Sequence, residues 1–402
     1  MFKRRVWPFI GVLAAGGAAR LANAAAAVAY PWLALQLGGP AFAGAVAAAV
    51  LGPAAVSHFF AGVAVERFGP RACALAGEAA SALSAIAIAA LASLNQLTAP
   101  VFMALAAASA ALDGPARVAN QARWPEIARL AHVPLPRATA LDATTDHASL
   151  LLGPVGAGAA ITLFGPLAGL WFAALWAGLA FVGVALAMPA FKAKGGVAGT
   201  FQGIAQGWSC IANSPTLAIV TAIAAVAVAA FSALESVALP ALAQEMSIGA
   251  VGLTAYLAGA GIGALTAAAA MTALSRTPKL APMLALGVAG MALGVAGLPL
   301  AHNEWLILAA GMVIGLSYGA LGPSLSVVFL TVPPKELRAH VGGLSNALML
   351  VFAPVAAGAA GLAAEAFSAS IVIWALAVAM AALAVLSLLT PEPNSATKAQ
   401  DA

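Results

Sequence analysis

Arg20 is the residue whose position most needs a chemical explanation. It lies about fourteen residues into a long apolar run, ~21 Å along a helix at 1.5 Å per residue, deep in any bilayer that run crosses. A guanidinium there costs about 2.5–3.5 kcal/mol on insertion scales, so it must face a carboxylate or a wet cavity. Glu235 is the only acid well inside the seventh apolar run. Aligning Pro31 with Pro240 sets Glu235 six residues further outward than Arg20, an offset of ~9 Å. Two long side chains can bridge that distance in one state and part in another, as a gate or proton site. Asp142 and Asp146 stand four apart at the start of the fifth run. One helix face brings their like charges together, and a helix N-terminus favours both. Asp142, nearer the end, reads as a dipole partner; Asp146, deeper, reads as a second partner for Arg20. With Asn23 and Tyr30 on the first run, the substrate or coupling candidates are Arg20, Asn23, Tyr30, Asp146 and Glu235.

A second constellation is the charged turn Gly62-Val-Ala-Val-Glu66-Arg67-Phe68-Gly69-Pro70-Arg71, in a chain where only 7% of residues are charged. Gly62 lets helices approach, Gly69 makes the turn and Pro70 fixes it. Asp113, at the inner end of the fourth run, is the expected ion-pair partner of Arg67 or Arg71. Glu66 is expected to face the helix start near Gly342-Gly343, where the dipole favours an anion. Together Gly62, Glu66, Arg67, Gly69, Arg71 and Asp113 read as a conformational latch. On the fifth run, Gly153, Pro154 and Gly158 combine a missing helix hydrogen bond with small side chains, which suits a bend and close packing across two halves. His58 and Glu78 read as packing residues.

The elements that must position these groups follow from composition. The chain has 402 residues, 63% of them hydrophobic, and a mean hydropathy of +1.01. A soluble chain is about half apolar and about one quarter charged, so lipid is the solvent here. Apolar runs fall at about 6–36, 41–64, 72–94, 98–118, 138–164, 167–190, 216–243, 250–274, 279–300, 305–331, 338–364 and 368–390, each near the ~20 residues a bilayer needs. The first, carrying Arg20 and continuing to about Leu37, reads as a span and not as a cleaved signal. Twelve spans place both termini on one side. Of the 17 Lys and Arg, 16 then fall on that side, which the positive-inside rule makes cytoplasmic. Arg20 is the exception.

The chain also repeats itself. Gly153-Pro154-Val155 recurs as Ala353-Pro354-Val355, Gly114-Pro115 as Gly322-Pro323, and Tyr30-Pro31 resembles Leu239-Pro240, at offsets of 200 to 209 residues. The expected organisation is all-α and integral to the membrane, with twelve transmembrane helices as two pseudo-symmetric six-helix bundles. They run over 1–191 and 216–391, with a cytoplasmic linker at 192–215 and a cytoplasmic tail at 392–402. Parallel six-helix halves with the substrate between them are a transporter architecture.

Cys73 and Cys210 form no disulfide or metal pattern. The sequence has no phosphate-gripping Gly-x-x-x-x-Gly-Lys loop, no metal cluster and no nucleophile–base constellation, so neither enzyme activity nor a cofactor is expected. The basic residues are scattered through short connections, which argues against nucleic acid as a partner.

With twelve spans, two halves and a charged turn after the second, the chain resembles the major facilitator superfamily of secondary transporters. The resemblance rests most specifically on Gly62, Glu66, Arg67, Gly69 and Arg71, with Glu66 where the family has Asp and Pro70 where it often has a basic residue. The Gly153-Pro154-Val-Gly-Ala157-Gly158 stretch is similar to an antiporter pattern, with alanine at one glycine and Ser149 where the family expects glycine. The segment from Asp113 to Gly158 looks like the branch that includes enterobactin and multidrug efflux proteins. Exporters of that kind often carry an Arg early in span four, where Pro100 to Leu112 here has no charge. The resemblance implies a monomer in the inner membrane, exporting a small amphiphilic compound against protons by a rocker-switch. A proton-coupled nutrient importer, a lipid flippase and a non-transporting membrane sensor are the alternatives.

Overall fold

Gly38 and Gly39 separate the first two crossings. In the computed structural model, which describes residues 2–188, 200–273, 280–334 and 337–390, helix α1 (Phe2–Phe68) breaks at Gly38 (φ −161°, ψ 21°) and Gly39 (φ 71°, ψ −170°). Only glycine adopts the second conformation cheaply. Pro40 then restarts the helix, since its fixed φ and missing N–H suit a first turn. Two arms result, 2–37 and 40–68. Gly39→Ala is expected to destabilise the detergent-solubilised protein by about 1–3 kcal/mol, read as a lower melting temperature. Gly52→Ala, where an added Cβ meets nothing within 4 Å, should not lower it.

The first unit, Met1–Val197, continues with α2 (Pro70–Ser93), α3 (Ala99–Ala122), α4 (Trp124–Ala131), α5 (Leu135–Phe164) and α6 (Ala168–Ala187). The second, Ala198–Ala402, contains α7 (Thr200–Asn213), α8 (Pro215–Ala233), a π-turn (Leu234–Ala238), α9 (Leu239–Glu245), α10 (Ala250–Ala273), α11 (Leu280–Gly297), α12 (Glu304–Thr331), α13 (Arg338–Val351), α14 (Ala353–Ala366) and α15 (Ala369–Ser387). Eleven stretches of the described residues are long and apolar enough to cross a membrane. The first, Trp7–Ala61, contains both arms of α1, so the crossings number twelve, as the sequence predicts. Lys192, Lys194, Arg276, Lys279, Lys335 and the tail at 392–402 lie outside the described residues.

In the first unit α1 packs on α3, α5 and α6, and α2 on α3 and α6. Small residues set these approaches. Gly114 of α3 lies so near α1 that a Cβ would stand 2.6 Å from the backbone N of His58, and its own N–H donates to Ser57 Oγ at 3.1 Å. The charged turn forms as read. Gly69 takes φ 86° and Pro70 opens α2.

The short helix α4 was not expected from the sequence. Its Trp124, Ile127, Ala128 and Ala131 bury against Phe9, Val12, Val65, Ala74 and Val184, and Phe9 meets Trp124 edge-on at 5.9 Å. Eight residues are too few for a span, and their apolar positions are masked by Glu126 and Arg129, which pair on the exposed side.

In the second unit α10 and α12 pack most intimately. Gly259 and Gly263 of α10 abut the carbonyls of Leu308 and Met312; Gly311, Gly315 and Gly319 of α12 abut those of Tyr256, Ala260 and Ala264. Spacings of four residues place each set on one helix face. The π-turn in the seventh crossing has a local cause. Pro240 has no N–H for the carbonyl behind it and its ring crowds that turn, so the helix widens and Leu239 N–H donates to Leu234 O. Beyond it, Glu245 Oε1 accepts the N–H of Ala369 at 2.9 Å, capping α15. The sequence repeat is not carried through in conformation. Pro154 lies inside the continuous α5, whereas Pro354 opens α14 after a break at Phe352.

Candidate functional site

A polar cavity of about 300 Å³ opens inside the first unit. It is lined by Arg20 and Asn23 of α1, Glu78 and Ser81 of α2, Asp113, Arg117 and Asn120 of α3, Arg123, and Asp142 and Asp146 of α5. Charged groups within so apolar a helix bundle are costly unless paired or wet, and here they are gathered on one void.

Arg20 is clamped to one face of α5. Its Nη2 donates to Asp142 Oδ1 at 2.7 Å, its Nε lies 3.0 Å from Asp146 Oδ1, and its Nη1 donates to Thr145 Oγ1 at 3.0 Å. Thr145 in turn donates to the carbonyl of Asp142 at 2.7 Å, which fixes its hydroxyl. Ser149 donates to Thr145 O and Gly17 O at 2.7 and 3.2 Å. One guanidinium therefore spans the two aspartates whose four-residue spacing would otherwise set like charges together. Asp146 pairs with Arg20 as expected. Asp142 does so too, more closely, in place of the dipole role read from its position.

Arg123 is the group the sequence concealed. Three residues past the end of the fourth crossing, it was counted with the loop charges. Its side chain turns inward and is only 2% exposed. Nη1 donates to the sulfur of Met188 at 3.7 Å, and Nε is buried without a partner. An added Cβ on Gly16 would stand 3.5 Å from both Arg123 Nη2 and Arg20 Nη1, so the two guanidiniums converge beside that glycine. Burial brings Arg123 down to about 10, against the pull of Glu78 and Asp142; it remains cationic at neutral pH.

Glu78, read as a packing residue, faces this cavity while only 6% exposed. Asn120 Nδ2 donates to its Oε1 at 3.4 Å, and Asn120 Oδ1 has no partner. The signal was present in the sequence as a lone acid in an apolar run.

Other expectations are redirected. Tyr30 is not among the residues lining this cavity; it packs edge-on against Phe102 at 5.7 Å, beside the apolar cluster of Ala29, Ala34 and Ile88. Asp113 meets Arg117 at 3.5 Å, one helical turn away, and His58 Nε2 at 3.8 Å. Arg71 instead donates to the carbonyl of Ala185 at 3.2 Å, and Arg67 stacks over Phe68. The local i, i+4 partner on α3 outcompetes the distant ones. Gly153 packs on α1 of its own unit, where a Cβ would stand 2.5 Å from that of Ala24 and 3.0 Å from Leu21 O. Pro154 and Gly158 are buried beside it. The packing of Gly62 and of the Glu66 side chain lies outside what the structure describes. In the second unit Glu235 sits on the π-turn and accepts from Tyr256 Oη at 3.1 Å.

Comparison with known proteins bears on this arrangement. The profile of the Major Facilitator Superfamily matches residues 12–349. The multidrug efflux pump Tap of Mycolicibacterium fortuitum is 28% identical over 401 residues, covering 96% of each chain. Tap of Mycobacterium tuberculosis (strain ATCC 25618 / H37Rv) is 28% identical over 350 residues, covering 82% of this chain and 80% of its own. Among solved structures, the nucleoside transporter NupG superposes with a TM-score of 0.73 at 11% identity, over 95% of this chain and 98% of its own. A D-xylose-proton symporter gives 0.72 at 14%, over 96% and 98%. At those identities the structural likeness speaks for the fold alone.

Proposed function

Because this chain belongs to the Major Facilitator Superfamily, we propose that it is an efflux transporter, expelling a small amphiphilic compound from the cell by alternating access in exchange for protons. The near-full-length similarity to proteins named as multidrug efflux pumps supports export. The observation that carries exchange is the cavity of the first unit, where four carboxylates and three guanidiniums line one void. Intramembrane ionisable groups of this kind mark proton or substrate routes. Asn23 and the cavity wall of α1 offer the compound polar contacts, and Glu235 with Tyr256 offers a second protonatable site on the π-turn. The two halves, 1–191 and 216–391, rock about the substrate as a monomer, joined by the linker at 192–215. The Gly62–Arg71 turn is the latch, its Arg71 anchored on Ala185. The distribution of Lys and Arg supports a plasma-membrane protein with both termini in the cytoplasm.

Ethidium flux in proteoliposomes tests the reading. Movement of preloaded ethidium should accelerate when the compartment receiving it is the more acidic one, and should fall to the passive leak when a protonophore collapses the gradient. Ethidium flux indifferent to the gradient overturns the exchange. Flux running in the same direction as the protons marks an importer.

A further inference from the structure

Four carboxylates line the cavity, and three are already matched with cations. Asp142 and Asp146 share Arg20, and Asp113 has Arg117. Glu78 alone takes only a neutral amide, at 3.4 Å. Across the same void Arg123 is alone among the lining guanidiniums in having no carboxylate among its bonded partners. Its acceptor is a thioether and its Nε is unmatched. The guanidinium also lies 6.0 Å from the centroid of the Trp124 ring, but neither sulfur nor ring satisfies its Nε, and a buried charged donor left unmatched is costly. An unsatisfied buried group in a folded protein calls for an explanation, and a role in the chemistry is one.

We propose that Glu78 is the proton-carrying group of the first unit and that Arg123 is its mobile countercharge. This rests on the exchange reading given above. With its carboxyl protonated, Glu78 is neutral and holds Asn120, while Arg123 rests on Met188. When the O–H bond breaks, the proton leaves to the cavity and the carboxylate remains. The Arg123 guanidinium then swings from the Met188 sulfur to that carboxylate, and its strongest hydrogen bonds become charge-assisted. Re-protonation reverses the step. No other covalent bond changes. The Arg20 cluster stays closed throughout and acts as a fixed wall.

The surroundings of Glu78 support this assignment from every side. From α1 comes Arg20; from α3 come Asp113, Arg117 and Asn120; from the α3–α4 junction comes Arg123; from α5 come Asp142 and Asp146. The residues of α6, which also packs on α2, include nothing titratable. Arg123 is therefore the one cation facing Glu78 that has no fixed anion. Because it is anchored beside α4, on Met188 just past the end of α6, its swing would report the state of Glu78 to the end of the unit where α4 packs.

Infrared difference spectroscopy of the full-length protein in lipid, titrated over pH, tests the assignment without a substrate. With Glu235→Gln in place, which silences the protonatable group on the π-turn of the second unit, the protein should show one carboxylic-acid band that comes and goes with pH. Glu78→Gln should remove it, while Asp142→Asn and Asp146→Asn should leave it in place. In that background, a band that survives Glu78→Gln, or no band while Glu78 is intact, overturns the proposal. Arg123→Gln should keep the band and reduce gradient-driven ethidium flux about a hundredfold, the lower end of what a positioned proton-transfer group contributes. Unchanged flux would remove Arg123 from the step. The wild-type gradient response tests the exporter reading and the band tests Glu78, so either can fail while the other stands.

Discussion

Arg20→Ala is expected to abolish transport and to lower the melting temperature of the purified protein. The side chain holds α1 to α5 through three bonds, to Asp142, Thr145 and Asp146. Truncation leaves two carboxylates on adjacent turns of one helix with no cation between them. Breaking a buried pair costs about 3–5 kcal/mol. This cluster is partly wet, with exposures of 27% for Arg20, 17% for Asp142 and 52% for Asp146, so about 1–3 kcal/mol is the appropriate range. The instructive variant removes the whole network. Arg20→Ala with Asp142→Asn and Asp146→Asn should recover most of the lost stability, because no uncompensated charge remains, and should still fail to transport. Scanning fluorimetry and ethidium flux read the two effects separately. A triple variant as unstable as Arg20→Ala would show that packing, not charge, holds this corner. A single variant with normal flux would show that Arg20 has no part in transport.

Gly315→Ala should be the most damaging single-carbon change in the second unit. An added Cβ would overlap the carbonyl oxygen of Ala260 and stand 2.7 Å and 2.8 Å from that residue's C and Cα. All three are backbone atoms, so no side chain can rotate away, and α10 must separate from α12 along its length. Overpacking commonly costs 1–3 kcal/mol, and occasionally more; a helix-to-helix backbone clash belongs at about 3 kcal/mol or above. Against a total stability of about 5–15 kcal/mol, the expected readout is a steep loss of the monodisperse peak on size-exclusion chromatography. Gly178→Ala, with nothing within 4 Å of its added carbon, should have the opposite sign, since alanine is the better helix former by up to about 1 kcal/mol. Equal behaviour of the two would mean that α10 and α12 are not held at this distance.

Element count and order were legible because hydropathy over some twenty residues is decided by composition alone. The first pair of spans could even be divided correctly, since Gly38-Gly39-Pro40 is a strong local signal. Pairing was harder. Arg20 with Asp146 could be read from depth, because Arg20 lies well inside its run and Asp146 is the deeper of the two aspartates on its own. Arg123 could not, because a residue just beyond a span reads as solvated by position, and only the packing of α4 turns it inward. Asp113 was assigned to distant arginines when Arg117, one turn away on its own helix, needed no tertiary contact to reach it. Tyr30 showed a hydroxyl, while its ring packs on Phe102. In each case the sequence showed the chemical group, and the helix azimuth decided its neighbour.

The π-turn at Leu234–Ala238 sets such an azimuth. A widened turn holds one residue more than an α-helical one, so everything after it is rotated by about 100° relative to an uninterrupted helix. Glu245 accepts the N–H of Ala369 in that rotated phase. The seventh crossing thus behaves as two helices in different angular registers, with Glu235 at the joint. Loss of a single residue there would restore regular spacing, yet would aim Glu245 away from the helix it caps. What looks like a local irregularity around Pro240 is the phase reference for one whole end of the unit.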